Sequence, residues 1–201
     1  MSENIFVNPH YDLIEGDTLK LKTTKRLTAE EDEGVMVELA RYVEATLVES
    51  FGFEYITIPP VEDIMGVDDE SAPGSTSILA SKDWRSCSQL LIMCVNQSGS
   101  QMGIFSRSMC FEGGLSKGTM FPYVKRALDC KYGVIILRPN LNTITKTIDG
   151  VKTKVPIRGS ESPEIHALCV WENVVSQATQ GGAVKRIALF GYGNGASLCH
   201  E

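Results

Sequence analysis

An apolar run, Ile187-Ala188-Leu189-Phe190, leads straight into Gly191-Tyr192-Gly193-Asn194-Gly195-Ala196. That spacing is the one a nucleophile elbow needs, Gly-x-Ser-x-Gly, in which a serine rides on a sharp strand-to-helix bend above a sheet. Here the central position is Gly193, which offers neither hydroxyl nor thiol. The acid and histidine of such a site follow the nucleophile in chain order, yet only Ala196 to Glu201 come after the bend. A serine triad cannot be assembled from these residues, so no catalytic residue is assigned. Two uses of Gly191, Gly193 and Gly195 remain open. Glycine enters positive φ freely, where an ordinary residue costs about 1–3 kcal/mol, so the bend can persist for structure alone. Alternatively, backbone amides around Gly193 and Asn194 at a helix start make a candidate anion or ligand site. Gln97, Ser98 and Gly99, after another apolar strand, would supply its second wall.

Other chemistry-bearing residues have weaker claims. Ser162, Glu164 and His166 cluster at the start of a helix that also carries Trp171, and the expectation is that His166 packs or caps there. As a general base it has no nucleophile to serve. Ser197, Cys199 and His200 are too close in sequence to face one another on a helix. The six cysteines, Cys87, Cys94, Cys110, Cys130, Cys169 and Cys199, form no Cys-x-x-Cys and several sit in apolar runs, so they read as reduced core thiols. No spacing suggests a metal site, and the glycine pattern is not that of a nucleotide loop. No cofactor is expected. Trp84, between basic residues, reads as a partly exposed loop tryptophan or as a stacking platform.

The elements that would position these residues follow from pattern. Thr28-Ala29-Glu30-Glu31 is a capping box. Val35, Leu39, Val43 and Leu47 then define a helix face, and Gly52 suits the position past its end. Strands are expected over 53–58, 77–81, 89–96, 134–137 and 184–190, and helices over 119–131 and from Ser162 to about 179. Ser162-Pro163-Glu164 is a strong helix start. The connection 139–159 reads as a long basic loop, and the acidic stretch to Thr76 as another loop. Strand, helix, strand, helix, strand implies an α/β layered domain with a mostly parallel sheet.

The chain of 201 residues suits one domain, and its net charge of −6 argues against generic affinity for nucleic acid. Charge is uneven: Leu27–Glu70 holds thirteen acids against Arg41 alone, whereas Lys146, Lys152, Lys154 and Arg158 face only Asp149. Both are solvated surfaces or docking faces for a charged partner. No apolar run reaches the length of a membrane span, and the first residues lack a secretory pattern, so a cytoplasmic or nuclear place is expected.

Several blocks in order resemble the Arb2 domain family: Ser77 to Ser81, Leu90 to Gly99, Gly118 to Ala127, Tyr132 to Asn140, and Ser162 to Trp171. The resemblance covers roughly residues 28–201 and leaves 1–27 as an N-terminal extension. The domain occurs in an argonaute-binding silencing protein, in some fungal histone deacetylases and in animal cotranscriptional regulators. It implies a three-layer α/β-hydrolase-like fold, here ending soon after the elbow and so incomplete at its C-terminus. It also implies a protein partner within RNA-silencing, splicing or chromatin-linked assemblies. Animal members carry Ala-His-Ser-Tyr-Gly-Gly at the bend, and their serine falls on Gly193. The implied function is a catalytically inactive interaction module; the alternative is a hydrolase or small-ligand binder with displaced residues. Sheet completion by another chain, or by further C-terminal residues, is expected at the last strand.

Overall fold

Thr28 and Glu31 cap each other as their spacing predicts. The Thr28 hydroxyl accepts from the Glu31 amide at 3.2 Å, and a Glu31 carboxylate oxygen accepts from the Thr28 amide at 2.7 Å. The computed structural model describes residues 5–60, 74–96 and 101–200. In it this cap opens α1 (Ala29–Glu49). Val35, Leu39, Val43 and Leu47 are all fully buried along one stripe, and Gly52, at φ +74°, turns the chain past the helix end. Ahead of α1, β1 (Tyr11–Ile14) and β2 (Thr18–Leu21) make an antiparallel hairpin where the sequence suggested only an extension. Phe6 and Leu19 from this region enter the same core as α1.

The central sheet contains β3 (Phe53–Ile58), β4 (Thr76–Ser81), β5 (Gln89–Asn96), β6 (Tyr132–Ile136) and β9 (Arg186–Gly193), in the order β3-β4-β6-β5-β9. The sheet is mixed, with four of its five strands running the same way and β4 alone reversed. β5 runs parallel to β6 and β9, but β4 runs against both β3 and β6. A strand buried on both faces has the same apolar pattern in either direction, so pattern alone could not assign this. The β4–β6 ladder is short, pairing Leu79 with Ile136 and Ala80 with Ile135. Beyond it the Ser81 hydroxyl accepts the Val134 amide at 2.9 Å in place of a backbone carbonyl.

Each face of the sheet has its own core. On one side α1, α2 (Arg107–Gly113), α3 (Leu115–Gly118) and α4 (Phe121–Asp129) gather Leu39, Leu47, Ile104, Cys110 and Val124 over Leu79, Met93 and Val134. On the other, α5 (Pro163–Val170) and α6 (Ser176–Gln180) set Val170 and Ala178 on Ile58, Ile78, Leu90 and Ile135. Between these helices Trp171–Val175 forms a π turn, with the Ser176 amide and hydroxyl both donating to the Trp171 carbonyl. The start at Ser162 is as expected: its hydroxyl accepts the Ile165 amide at 3.2 Å.

Three further local readings differ from the structure. The 139–159 connection is not a plain loop but a hairpin, β7 (Thr143–Ile148) and β8 (Val151–Pro156). Asp149 and Gly150 turn it at φ +51° and +78°, the backbone of the tight turn that Asp-Gly favours. The helix expected over 119–131 begins at Phe121, because the buried Thr119 hydroxyl donates back to Leu115 at 2.7 Å and closes α3. Trp84 is neither exposed nor a platform: it is 1% exposed, its ring lies beneath the Arg85 guanidinium at 4.1 Å, and a Cβ at Gly133 would press on its backbone. The acidic loop over 61–73 lies outside the described residues.

Leu39 is fully enclosed, whereas Val37 on the same helix is 56% exposed. Leu39→Ala is expected to lower the free energy of unfolding by about 2–5 kcal/mol. Val37→Ala should change it by under about 0.5 kcal/mol. Urea unfolding followed by circular dichroism measures both.

Candidate functional site

β9 and β5 pair along eight positions, from Gln89 opposite Arg186 to Asn96 opposite Gly193. At the end of this ladder the chains part. After β5 it passes to Met102, Ile104 and Phe105 in the core under α1, and after β9 it passes to Leu198 and Cys199 in the core under α5. Adjacent parallel strands that leave toward opposite faces open a crevice at their carboxyl ends, the usual ligand position in α/β sheets. Gly193 and Asn194 lie at that end of β9, beside Asn96 of β5. Gln97, Ser98 and Gly99 lie outside the described residues.

The bend separates its three glycines by cause. A Cβ on Gly191 would collide with the backbone of Ala196 in α7 (Gly195–Leu198), and one on Gly195 would collide with the Cys94 carbonyl on β5. Those two are glycine because backbones touch. Gly193 sits at φ +60°, the left-handed region where a side chain is strained. The expected strand-to-helix bend is thus present, and Gly193 at its centre carries only hydrogen. In working elbows the amide after the nucleophile helps hold an oxyanion. Here that amide, on Asn194, donates to the Asn96 carbonyl at 2.8 Å.

No activated thiol stands in for the missing serine. Cys94 is buried, and burial pushes its thiol up to about 12, with the nearby Cys199 adding in the same direction. Cys199 is itself raised by burial. Tyr192 and Phe190 face the opposite side, where Phe105 lies 5.1 Å and 5.8 Å from their rings.

His166 is enclosed, with no exposure, and both ring nitrogens are engaged. Nε2 accepts the Arg138 amide at 3.1 Å, so the neutral ring carries its proton on Nδ1 and donates to Ser160 Oγ at 3.0 Å. Ser160 in turn donates to the Leu141 carbonyl at 2.9 Å. Asn142 bridges the Pro139 and Ser160 carbonyls at 3.0 Å and 2.8 Å. The histidine therefore ties the exit of β6 to the start of α5. Ser160 is as buried as its partner, so this Ser–His contact faces no substrate. Ser162 and Glu164 stay at the helix start, while Trp171 is 45% exposed on the π turn.

A feature that pattern did not reveal lies beside the crevice. A cavity of about 250 Å³ is lined by Val95, Gln101, Gly103, Arg138 and Asn140, among others. Arg138 reaches Glu44 on α1 at 2.5 Å, while its Nε has no hydrogen-bond partner among the described residues. Glu44 and Arg138 are 94 positions apart, which is why spacing could not pair them. Among the described residues no group of His, Cys, Asp and Glu could hold a metal ion, and no helix is long and apolar enough to cross a membrane.

Together these features define a mixed α/β domain whose elbow is built of glycine. A family profile for the Arb2 domain matches residues 25–201, and the chain belongs to that family. It is 27% identical over 186 residues to the mouse (Mus musculus) cotranscriptional regulator ARB2A, covering 70% of this chain and 43% of that protein. The Xenopus tropicalis homolog of ARB2A is 26% identical over 162 residues, covering 56% and 37%. A Caenorhabditis elegans FAM172 family protein homolog is 29% identical over 94 residues, covering 47% and 28%. The chain thus spans less than half the length of these relatives. No solved structure matches.

Gly191→Ala and Gly195→Ala force backbones apart and should reduce stability by more than about 3 kcal/mol. Gly193→Ala puts a side chain at φ +60° and should cost about 1–2 kcal/mol. Comparative thermal melts test that ranking.

Burial first, and the Arg138 charge second, lower the His166 pKa from 6.5 to about 4. Between these values the unfolded chain binds a proton that the folded one refuses, so stability falls as pH drops through the interval and levels below it. The loss should be about 3 kcal/mol, and His166→Gln should remove it, as read from urea midpoints at pH 7, 5.5 and 4.

Proposed function

We propose that this chain is a catalytically inactive, α/β-hydrolase-like interaction module acting in a nuclear regulatory assembly, linked to RNA silencing, splicing or chromatin. Gly193 at φ +60° carries the reading: the bend has an elbow's shape and no attacking atom. Three further observations support it. The Asn194 amide is already spent on Asn96. The bend lies at the carboxyl end of β9 in a sheet with helices on both faces, the place where an α/β-hydrolase carries its elbow. Relatives named cotranscriptional regulators favour a regulatory and nuclear role over metabolic turnover.

The partner is protein. Among the described residues β9 ends the sheet with one edge unpaired, and Leu189 on it is 47% exposed. No lysine or proline interrupts Ile187–Gly193, although such residues commonly protect an open edge. A strand from another chain, or from further residues of the same polypeptide, would complete the sheet there.

A second reading, binding of a small anion or carboxylate, draws on the cavity beside Arg138 and on Gly193 and Asn194 at the crevice. One set of measurements separates the two. With p-nitrophenyl acetate the protein should give no turnover above buffer, and turnover abolished by Gly193→Ala would refute the inactive reading. A melting temperature unmoved by millimolar phosphate or acetate is also expected, and a rise lost in Arg138→Gln would favour the second reading.

A further inference from the structure

The β7–β8 hairpin contributes little to either core, and its two strands pack chiefly on each other. Its register assigns residues to faces. Ile144, Lys146 and Ile148 lie opposite Val155, Thr153 and Val151; Thr143, Thr145 and Thr147 lie opposite Pro156, Lys154 and Lys152. The first face turns inward at the base of the hairpin, with Val155 buried and the Ile144 side chain against Gly74, while Val151 and Thr153 toward its tip are exposed. The second is exposed at all six positions. It holds two cross-strand Thr–Lys pairs, Thr145–Lys154 and Thr147–Lys152, and no acid. Lys152 and Lys154 are two residues apart on one strand, so they stand about 7 Å apart on the same side. Neither is held in an ion pair among the described residues. Lys146 and Arg158 have partners of their own.

We propose that this outer face docks an extended acidic segment of a partner protein. The inference rests on the reading of the chain as an interaction module and gives that module's partner a chemistry. Acidic side chains at every second position of an extended segment share one side with a period of two strand residues, which matches the spacing of Lys152 and Lys154. Gly74 already donates its amide to the Pro156 carbonyl at 3.4 Å at the end of β8, but among the described residues the outer edge of β7 is unpaired, so a partner strand can add backbone hydrogen bonds there to the charge contacts. A nucleic acid fits less well. The face has no aromatic side chain on which a base could stack, and the chain's net charge of −6 repels a long polyanion.

The test uses the whole chain and fluorescence anisotropy with three labelled probes: an eight-residue peptide alternating Glu and Thr, the same peptide with Gln for Glu, and an oligothymidylate. The Glu–Thr peptide should bind, the Gln–Thr peptide should bind at least tenfold more weakly, and affinity should fall between 50 and 200 mM salt. Lys152→Glu with Lys154→Glu should weaken the Glu–Thr peptide at least tenfold while leaving the melting temperature unchanged. Lys20→Glu, at an exposed site elsewhere, should leave binding unaltered. No binding to the native chain, equal binding to the doubly reversed variant, equal loss with Lys20→Glu, or a preference for oligothymidylate would each overturn the proposal. Ester turnover would undermine the inactive reading without altering any of these results, so the two can fail separately.

Discussion

Three stretches of backbone touch beneath the bend that follows β9, with no side chain between them. β9 meets the start of α7 at Gly191, and α7 meets β5 at Gly195. This approach fixes where the chain can go after the last strand, and it draws β5 and β9 into eight paired positions. The crevice at their ends is a consequence of that parallel pairing and of departure toward opposite cores. The two outer glycines would be required whether or not any chemistry took place there. Gly193 differs in that its dihedral angle asks for glycine, with a conformational cost of about 1–3 kcal/mol for an ordinary residue.

The second organising element is polar and lies at the start of α5. His166, Ser160 and Asn142 satisfy carbonyls and an amide of the chain leaving β6. A buried network of this kind is favourable only when each member has its partners, and here both imidazole nitrogens do. It anchors the base of the β7–β8 hairpin through residues 138–142 and 157–160, leaving the hairpin's outer face clear of the body. Arg138 links this network to α1 through Glu44, so both helix layers communicate across the carboxyl end of the sheet.

What could be read from the chain depended on how local its cause was. The cap at Thr28, the stripe Val35–Leu39–Val43–Leu47 and the start at Ser162 arise from neighbours in sequence, and all three are present as expected. The glycine spacing at 191, 193 and 195 gave the bend correctly, since each glycine answers a contact or angle within reach of the turn or its adjacent strand. The reversal of β4 was invisible, because a doubly buried strand carries no mark of direction. The β7–β8 hairpin was overlooked although Asp149-Gly150 announces it; its lysines and threonines disguised a strand pattern whose apolar side, Ile144, Ile148 and Val155, is sparse. Two short helices, α2 and α3, are held by distant contacts, with Asp17 accepting the Ser116 amide at 2.5 Å. The cavity beside Arg138, and the Arg138–Glu44 pair, are likewise products of tertiary folding, so spacing along the chain held no sign of them.

The widened turn at Trp171–Val175 has a consequence for how this family can vary in length. A π turn holds one residue more than a regular helical turn would. Removing a single residue there would restore ordinary winding and leave everything beyond it facing as before, because five residues of the wide turn cover about the 400° that four cover in a regular helix. Val170 before the turn and Ala178 after it, both now facing the sheet, would stay there. The wide turn therefore absorbs one residue without shifting phase: it lets one continuous rod keep its greasy side down along its whole length, which makes this the position in α5–α6 best able to lose a residue.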